Sequence, residues 1–526
     1  MKQMKLGLFI VALVILLQVL TSCKNGDTAI SSYTSPNTYQ KSRFSAVARE
    51  TFKQHTRARN PVIIVHGFLG SKLRNPQNGD IIWGEMTSRM ILRGYSDGYL
   101  RQLSLPMGFN KNLSELKDNI EPISVLDNFN VILWSINFKV SGYNKMLEIL
   151  SIAGYVKENG TDYDKITEKK DIPSLYTFYY DWRRSLPENA ARLHDFVLEK
   201  RKKLQKLYER IYKVKNFDLQ FDILAHSMGG LVSRYYLRYG DQPLPKDGSL
   251  PKFDWRGSKY IDTVVIIGTP NSGYLDTFKE LVQGLSLDER APIYPRAAIG
   301  TFHSYYQMLP LCSTRSIVYD NVDKDKREAI DIFNVTNWIK NKWGLANPEL
   351  DKELKVLLPN VKSAQERRKI ALDHLKKCLL KAEQFTRAMR VYKKAPNDVR
   401  YILFAGDAVD TPRRAIIDRA TGKIKRIDYD AGDGKVLATS AVMDERDGRK
   451  WVPFAHTPID WDAIMFLKAA HMGITESYSF ADNVTFYLLS FPSEKDKERL
   501  NYYRQIYNEN MDKYGYEHRI GEKFKR

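Results

Sequence analysis

The chain has 526 residues, a formal net charge of +20 at neutral pH, and 43% hydrophobic and 12% aromatic residues. That apolar content excludes a disordered chain, and the length allows about two to four domains. The three cysteines, Cys23, Cys312 and Cys378, are too few for a disulfide framework or a cysteine-rich metal site. A basic chain favours anionic surfaces, but the basic residues are dispersed and form no zinc-finger, RRM or basic-zipper pattern, so nucleic acid is not an expected partner.

In chain order, residues 1–22 read as a lipoprotein signal peptide. Lys2 and Lys5 precede an apolar run from Leu6 to Leu20. The run is short for a bilayer-spanning helix of about 20 residues but suits a signal-peptide core. It closes on Leu20-Thr21-Ser22-Cys23, which resembles a bacterial lipobox. The resemblance implies a lipidated Cys23, an N-terminal lipid anchor on a membrane surface, and a place in the bacterial cell envelope. Residues 23–58, rich in Ser, Thr, Asn and Lys, read as a tether.

The first part of the folded core is expected over residues 59–273. Pro61–Val65 is a fully apolar, β-branched run, as a parallel strand buried on both faces requires. It runs into His66-Gly67-Phe68-Leu69-Gly70, where glycines let the backbone turn so that an N–H can face a substrate oxygen. The segment from Ile81 to Leu133 is aromatic and irregular and is expected to lie over the site. Leu175–Tyr180 reads as a strand ending in Asp181-Trp182-Arg183, Asn189–Val214 as a long helix with a basic face, and Ile261–Ile267 as a further strand. Strand–helix alternation of this kind means a parallel sheet with crossovers.

Within this alternation, Phe221-Asp222-Ile223-Leu224-Ala225 leads into His226-Ser227-Met228-Gly229-Gly230, and the amphipathic run Leu231–Leu237 leaves it. Strand, sharp turn and helix form the context in which a small-x-Ser-x-Gly pattern becomes a nucleophile elbow. Gly229 and Ala225 leave room for the crowded turn, and Ser227 would stand at a helix N-terminus. The expected oxyanion donors are the main-chain N–H groups of Phe68 and Met228.

Residues 274–396 break the alternation and read as an inserted helical cap. Their clear helix spans 364–394, with Ala371, Leu375, Cys378, Ala382, Phe385, Met389 and Tyr392 on one face. Cys378 lies in that stripe and reads as a small buried hydrophobe. The basic face includes Arg367, Arg368, Lys377 and Lys381. It reads either as the solvated side of a packed helix or as a surface that meets anionic bilayers. The core is expected to resume over 397–490 with the strand Val399–Ala405 and a hairpin over Gly422–Val436; residues 491–526 read as a basic C-terminal extension.

A serine hydroxyl needs a base, usually a histidine held in one tautomer by a carboxylate. With the chain order serine, acid, histidine, the candidate bases are His456, His471 and His518. His471, after the apolar Ile464–Leu467 and before Gly473, is favoured over His456 in its Pro-flanked loop. For the acid, Asp433 between two glycines and Asp407 at a strand end are equivalent by position. No metal or cofactor is expected.

Together these segments resemble the lecithin:cholesterol acyltransferase-like lipases of the α/β-hydrolase fold. Pro61–Leu73 is similar to that family's oxyanion segment, Tyr180-Asp181-Trp182-Arg183 to its Tyr-Asp-Trp-Arg motif, and Ala225–Gly230 to its elbow. Thr411-Pro412 with Gly432–Val436 and Ser440 resembles its acid segment, and His471 its terminal histidine. The resemblance implies Ser227, Asp433 and His471 as the triad. It implies a lipase, phospholipase or acyltransferase acting on carboxylic esters of lipids. Lys435 stands where the family usually carries Thr, and no cysteine pair closes the early loop. A peptidase or polyester hydrolase on the same fold, and an inactive surface-binding protein, are the competing readings.

Overall fold

The computed structural model describes residues 59–87, 95–126, 128–133, 136–141, 143–285, 294–323, 326–396, 399–444 and 457–490. The signal peptide, the tether, Cys23, His456, His518 and the C-terminal extension lie outside these residues.

Six strands form the central sheet: β1 (Val62–Val65), β2 (Leu175–Phe178), β3 (Phe221–His226), β4 (Ile261–Ile267), β5 (Arg400–Gly406) and β6 (Ala463–Leu467). They lie in the order β6-β5-β4-β3-β1-β2, and every pairing is parallel. Alternate residues point to opposite faces. Ile63, Val65, Ile223 and Val264 enter one core, whereas Val62, Ile64, Leu224 and Val265 enter the other. The inner strands are covered on both faces, so they are mostly apolar rather than alternating, with Asp222 and Asp262 buried among them, whereas the edge strand β6 leaves Ile464 and Phe466 exposed. On the second face the helices Asn144–Ile152 and Tyr478–Ser490 pack through Met146, Leu150, Phe480 and Val484. The first face carries the helices Leu186–Tyr212 and Met228–Tyr239.

From β1 the chain moves to β2 on one side, then returns to β3 on the other. The winding reverses between β1 and β3, and a parallel sheet opens a crevice at the carboxyl ends of its strands at such a switch. The loops after β1 and β3 carry Phe68 and Ser227. A parallel sheet flanked by helices, with a serine in the turn after a central strand, is the α/β-hydrolase arrangement.

Several elements depart from the sequence reading. The segment read as irregular contains the short strands Ile81–Trp83, Glu85–Thr87, Glu121–Val125 and Asn128–Leu133. Runs of three to six residues carry too little periodicity to be recognised. Residues 274–396 contribute a strand, Ile317–Tyr319, parallel to Val409–Ile417. The hairpin is longer than expected and pairs Val409–Ile417 with Ile424–Gly432. The cap helix spans Ala364–Arg390 and stops before Tyr392, which is therefore exposed, whereas Ala371, Leu375, Cys378, Ala382, Phe385 and Met389 are buried.

Candidate active site

Ser227 closes β3 and caps the helix Met228–Tyr239 with φ 54° and ψ −126°. This conformation is disfavoured for a residue with a side chain and is tolerated only where the surroundings fix it. Ser227 N–H donates to the Ile267 carbonyl at 2.7 Å, and the Ser227 carbonyl accepts from Thr269 Oγ1 at 2.8 Å and Gly230 N at 3.0 Å. A Cβ at Gly229 would lie 2.4 Å from the carbonyl oxygens of Val65 and His66, so the elbow can pack on the end of β1 only with glycine there. A Cβ at Gly67 would lie 2.7 Å from Ser227 Cβ, which sets the loop holding Phe68 directly against the serine. Met228 opens the helix, so its N–H has no acceptor within that helix.

Asp433 and His471 come from the loops after the hairpin and after β6. His471 Nδ1 lies 2.8 Å from Asp433 Oδ2, and His471 Nε2 lies 3.0 Å from Ser227 Oγ. A carboxylate only accepts, so Nδ1 carries the proton and Nε2 faces the serine hydroxyl with a lone pair. The other carboxylate oxygen, Asp433 Oδ1, accepts from Val436 N at 2.7 Å and Lys435 N at 2.9 Å. Burial alone would raise the Asp433 pKa, but the facing imidazole and these two amides outweigh it and hold the group below its ordinary value. The acid loop is shaped by Thr411, whose Oγ1 accepts from Gly434 N at 2.8 Å, and by His471 N donating to the Asp433 carbonyl at 2.8 Å. Asp407 is exposed at the end of β5.

Other residues hold these loops together and were not singled out by sequence. Gly67 N–H donates to Tyr143 Oη at 2.7 Å, and Tyr143 Oη lies 3.0 Å from His226 Nδ1. His226 Nε2 in turn lies 3.3 Å from the His471 carbonyl oxygen. Burial pushes the His226 pKa down to about 3, so the ring is neutral, donating from Nε2 and accepting from Tyr143 at Nδ1. One chain of bonds thus links the Phe68 loop, the elbow and the histidine loop.

The Tyr180–Arg183 motif braces the Phe68 loop from outside. Tyr180 stacks on His66 with ring centroids 4.1 Å apart, and Tyr180 Oη donates to the His66 carbonyl at 2.6 Å. Trp182 packs edge-on against Phe68, with ring centroids 4.9 Å apart. The buried Arg183 pairs with Asp181 at 2.7 Å and Asp118 at 2.8 Å and donates to the Leu103 carbonyl at 2.8 Å.

Lys435 leaves the acid loop to form an ion pair with the buried Asp276 at 2.8 Å. One helical turn on, Glu280 accepts a hydrogen bond from Tyr305, whose ring packs against Phe68 with centroids 4.7 Å apart.

The cap helix does not present a free basic face. Arg367 is buried and holds Asp351 through bonds of 2.7 and 2.8 Å. Lys377 pairs with Asp373 and donates to the carbonyls of Gly108 and Lys111, and Lys381 donates to the Pro245 carbonyl at 2.7 Å. Of the four cations named from sequence, three are spent on contacts within the protein, because neighbouring segments supply acceptors that a helical periodicity cannot reveal.

The model of the family described as lecithin:cholesterol acyltransferase matches residues 129–401, slightly more than half of the chain. The match includes Ser227 and the Tyr180–Arg183 motif and stops before Asp433. No curated protein sequence matches. Among solved structures, the chain resembles one titled as the Tle4–Tli4 complex at 11% identity and TM-score 0.47, covering 81% of this chain and 97% of that one. It also resembles EstA from Clostridium botulinum at 14% identity and TM-score 0.31, covering 83% of this chain and 87% of that one. Lipase 1 from Pelosinus fermentans is similar at 13% identity and TM-score 0.30, covering 83% and 98%. The extent of the family match decides the assignment: this chain belongs to the lecithin:cholesterol acyltransferase family.

Proposed function

We propose that the chain is a lipase- or phospholipase-type hydrolase of lipid esters, tethered to a membrane through Cys23, that works through an acyl-enzyme on Ser227. Membership of its family makes it a serine ester hydrolase or acyltransferase. The acyl-enzyme on Ser227 rests on one observation, the hydrogen-bonded series from Asp433 through His471 to Ser227.

In that reading Ser227 Oγ attacks the ester carbonyl while His471 Nε2 takes the hydroxyl proton. The oxyanion receives the N–H groups of Phe68 and Met228. Collapse expels the alcohol, which leaves with the proton from His471. The acyl group on Ser227 then passes to water or to a second alcohol, with His471 again acting as base. Asp433 keeps the imidazole in the productive tautomer throughout. Cys23, after a short apolar run, supports anchorage in a bacterial envelope.

The deciding experiment is a panel of phospholipid, triacylglycerol and short-chain esters, with and without an alcohol acceptor, run alongside fluorophosphonate labelling. Labelling of Ser227 with turnover of lipid esters is expected. Labelling without turnover of any lipid would move the substrate to another ester or amide class, and no labelling would leave a binding protein. Cys23→Ser should release the chain from the membrane fraction; if the variant stays anchored, the tether reading fails.

A further inference from the structure

Away from the candidate active site, three side chains capable of holding a metal converge between the helices His303–Gln307 and Ala364–Arg390. His374 and Cys378 are four residues apart on the cap helix and so share a face. His303 opens the short helix His303–Gln307, which packs against that face. All three are buried, and one donor atom from each lies within 4.8 Å of the other two. The two imidazole centroids are 5.6 Å apart.

Two ring nitrogens in this cluster, His303 Nε2 and His374 Nδ1, are fully buried and have no hydrogen-bond partner among the described residues. A buried polar atom left unpaired is destabilising, and an ion that accepts both lone pairs would relieve the two found here together. The remaining nitrogen of His374, Nε2, lies 3.3 Å from the Thr301 carbonyl oxygen. Donation there fixes the tautomer that leaves Nδ1 with a lone pair. An outer N–H on a backbone carbonyl is the usual support of a metal-bound histidine. Cys378 is a free thiol. The nearby cations are already neutralised, Arg183 and Arg184 by Asp181 and Asp118, and Lys377 by Asp373, so a cation in the cluster meets little net repulsion.

We propose that His303, His374 and Cys378 form a binding site for a thiophilic d¹⁰ metal ion, Zn²⁺ or Cu⁺. Metal–nitrogen bonds of about 2.0 Å and metal–sulfur bonds of about 2.3 Å place such donors roughly 3.4–3.8 Å apart, so the most widely separated pair needs to close by no more than roughly 1–1.4 Å on binding. The imidazoles donate their lone pairs, the thiol loses its proton to solvent, and the thiolate takes the third position. Two neutral histidines and one thiolate leave a neutral complex with Cu⁺ and a single positive charge with Zn²⁺. The ion would fasten the cap helix to the segment whose next residues buttress the candidate active site: Ser304 Oγ donates to the Trp182 carbonyl at 2.6 Å, and Tyr305 packs on Phe68. A small count of cysteines hides such a site, because two of its three donors are histidines 71 residues apart (374 − 303).

The test is metal analysis of the purified full chain, as isolated and after equilibration with Zn²⁺ or with Cu⁺ under reducing conditions. Wild type and Cys312→Ala should retain one equivalent, and the metal recovered distinguishes the two ions. Cys378→Ala and His303→Gln should retain none. Chelation should lower the wild-type Tm, and metal should restore it, without effect on Cys378→Ala. With Co²⁺ as probe, wild type should gain a thiolate-to-cobalt charge-transfer band that Cys378→Ala lacks. Because His303→Gln keeps the side-chain volume, it stands in if Cys378→Ala does not fold. Metal content equal in wild type and both variants, or none in any of them, overturns the proposal.

Discussion

The Tyr143 hydroxyl stands 3.0 Å from His226 Nδ1 and at the same time accepts from Gly67 N–H at 2.7 Å. His226 passes the connection to the backbone of His471. Tyr143→Phe removes one oxygen and strands two buried partners, a loss of about 1–3 kcal/mol for each. Its consequence falls on the alignment of the Phe68 loop and His471 rather than on substrate contacts. The expected result is a lower kcat with KM nearly unchanged, and a depressed Tm. A rise in KM alone would mean that Tyr143 lies in the substrate path.

Ser227→Ala should abolish ester hydrolysis while leaving far-UV circular dichroism and Tm close to wild type, because the loss of a nucleophile of this kind costs on the order of 10⁶ in kcat. Asp433→Asn should lower kcat by about 10⁴ by allowing the wrong tautomer of His471. Asp407→Asn, at an exposed position, should stay near wild type. Steady-state kinetics on a soluble ester separates these outcomes, and equal losses at the two aspartates would leave the acid unassigned.

What sequence revealed depended on how local the cause was. β1 is legible because burial on both faces requires an unbroken apolar run, and β4 because Val264–Ile267 forms such a run after the buried Asp262 and Thr263. Ser227 is legible because the elbow is a local strand–turn–helix pattern. Chain order restricts the acid and the base to a few candidates, and the fold then brings Asp433 and His471 to Ser227. Tyr143 is not legible, because its partners Gly67 and His226 are 76 and 83 residues away and it carries no motif. Arg367 is misread for a related reason. It looks like part of a solvated face until Asp351, from the preceding helix, is seen to hold it.

The cap helix supplies a prediction opposite to the one its basic face suggests. A carboxylate in place of Arg367 would face Asp351 and the carbonyls of Val361 and Lys362. Reversal at Lys377 would face Asp373 and two further carbonyls. The quadruple reversal of Arg367, Arg368, Lys377 and Lys381 should therefore lower Tm and reduce activity equally on anionic vesicles and on a soluble short-chain ester. A loss confined to vesicles and relieved by salt, at unchanged Tm, would restore the membrane-contact reading.

The last prediction concerns pH. Burial pushes the Glu280 carboxyl up to about 7; Lys435 and Tyr305 pull it down, and Asp276 pushes it up again. Tyr274 and Lys279 also neighbour the group, and Lys279 pulls it down. The unfolded chain releases this proton near the ordinary value of 4.5, whereas the folded protein keeps it until about pH 7. Across that window the native state binds more protons than the unfolded state, so the contribution is full below pH 4.5 and is lost as pH rises through 7. Glu280→Gln cannot ionise and keeps an acceptor for Tyr305. The Tm of the variant should fall less than that of wild type between pH 4.5 and 7, with the two curves parallel above pH 7. Because Tyr305 touches Phe68, wild-type activity on a soluble ester should also change near pH 7 in a way the variant does not. Identical Tm profiles for the two proteins would place the ionisation of Glu280 outside this window and remove it as a source of pH dependence.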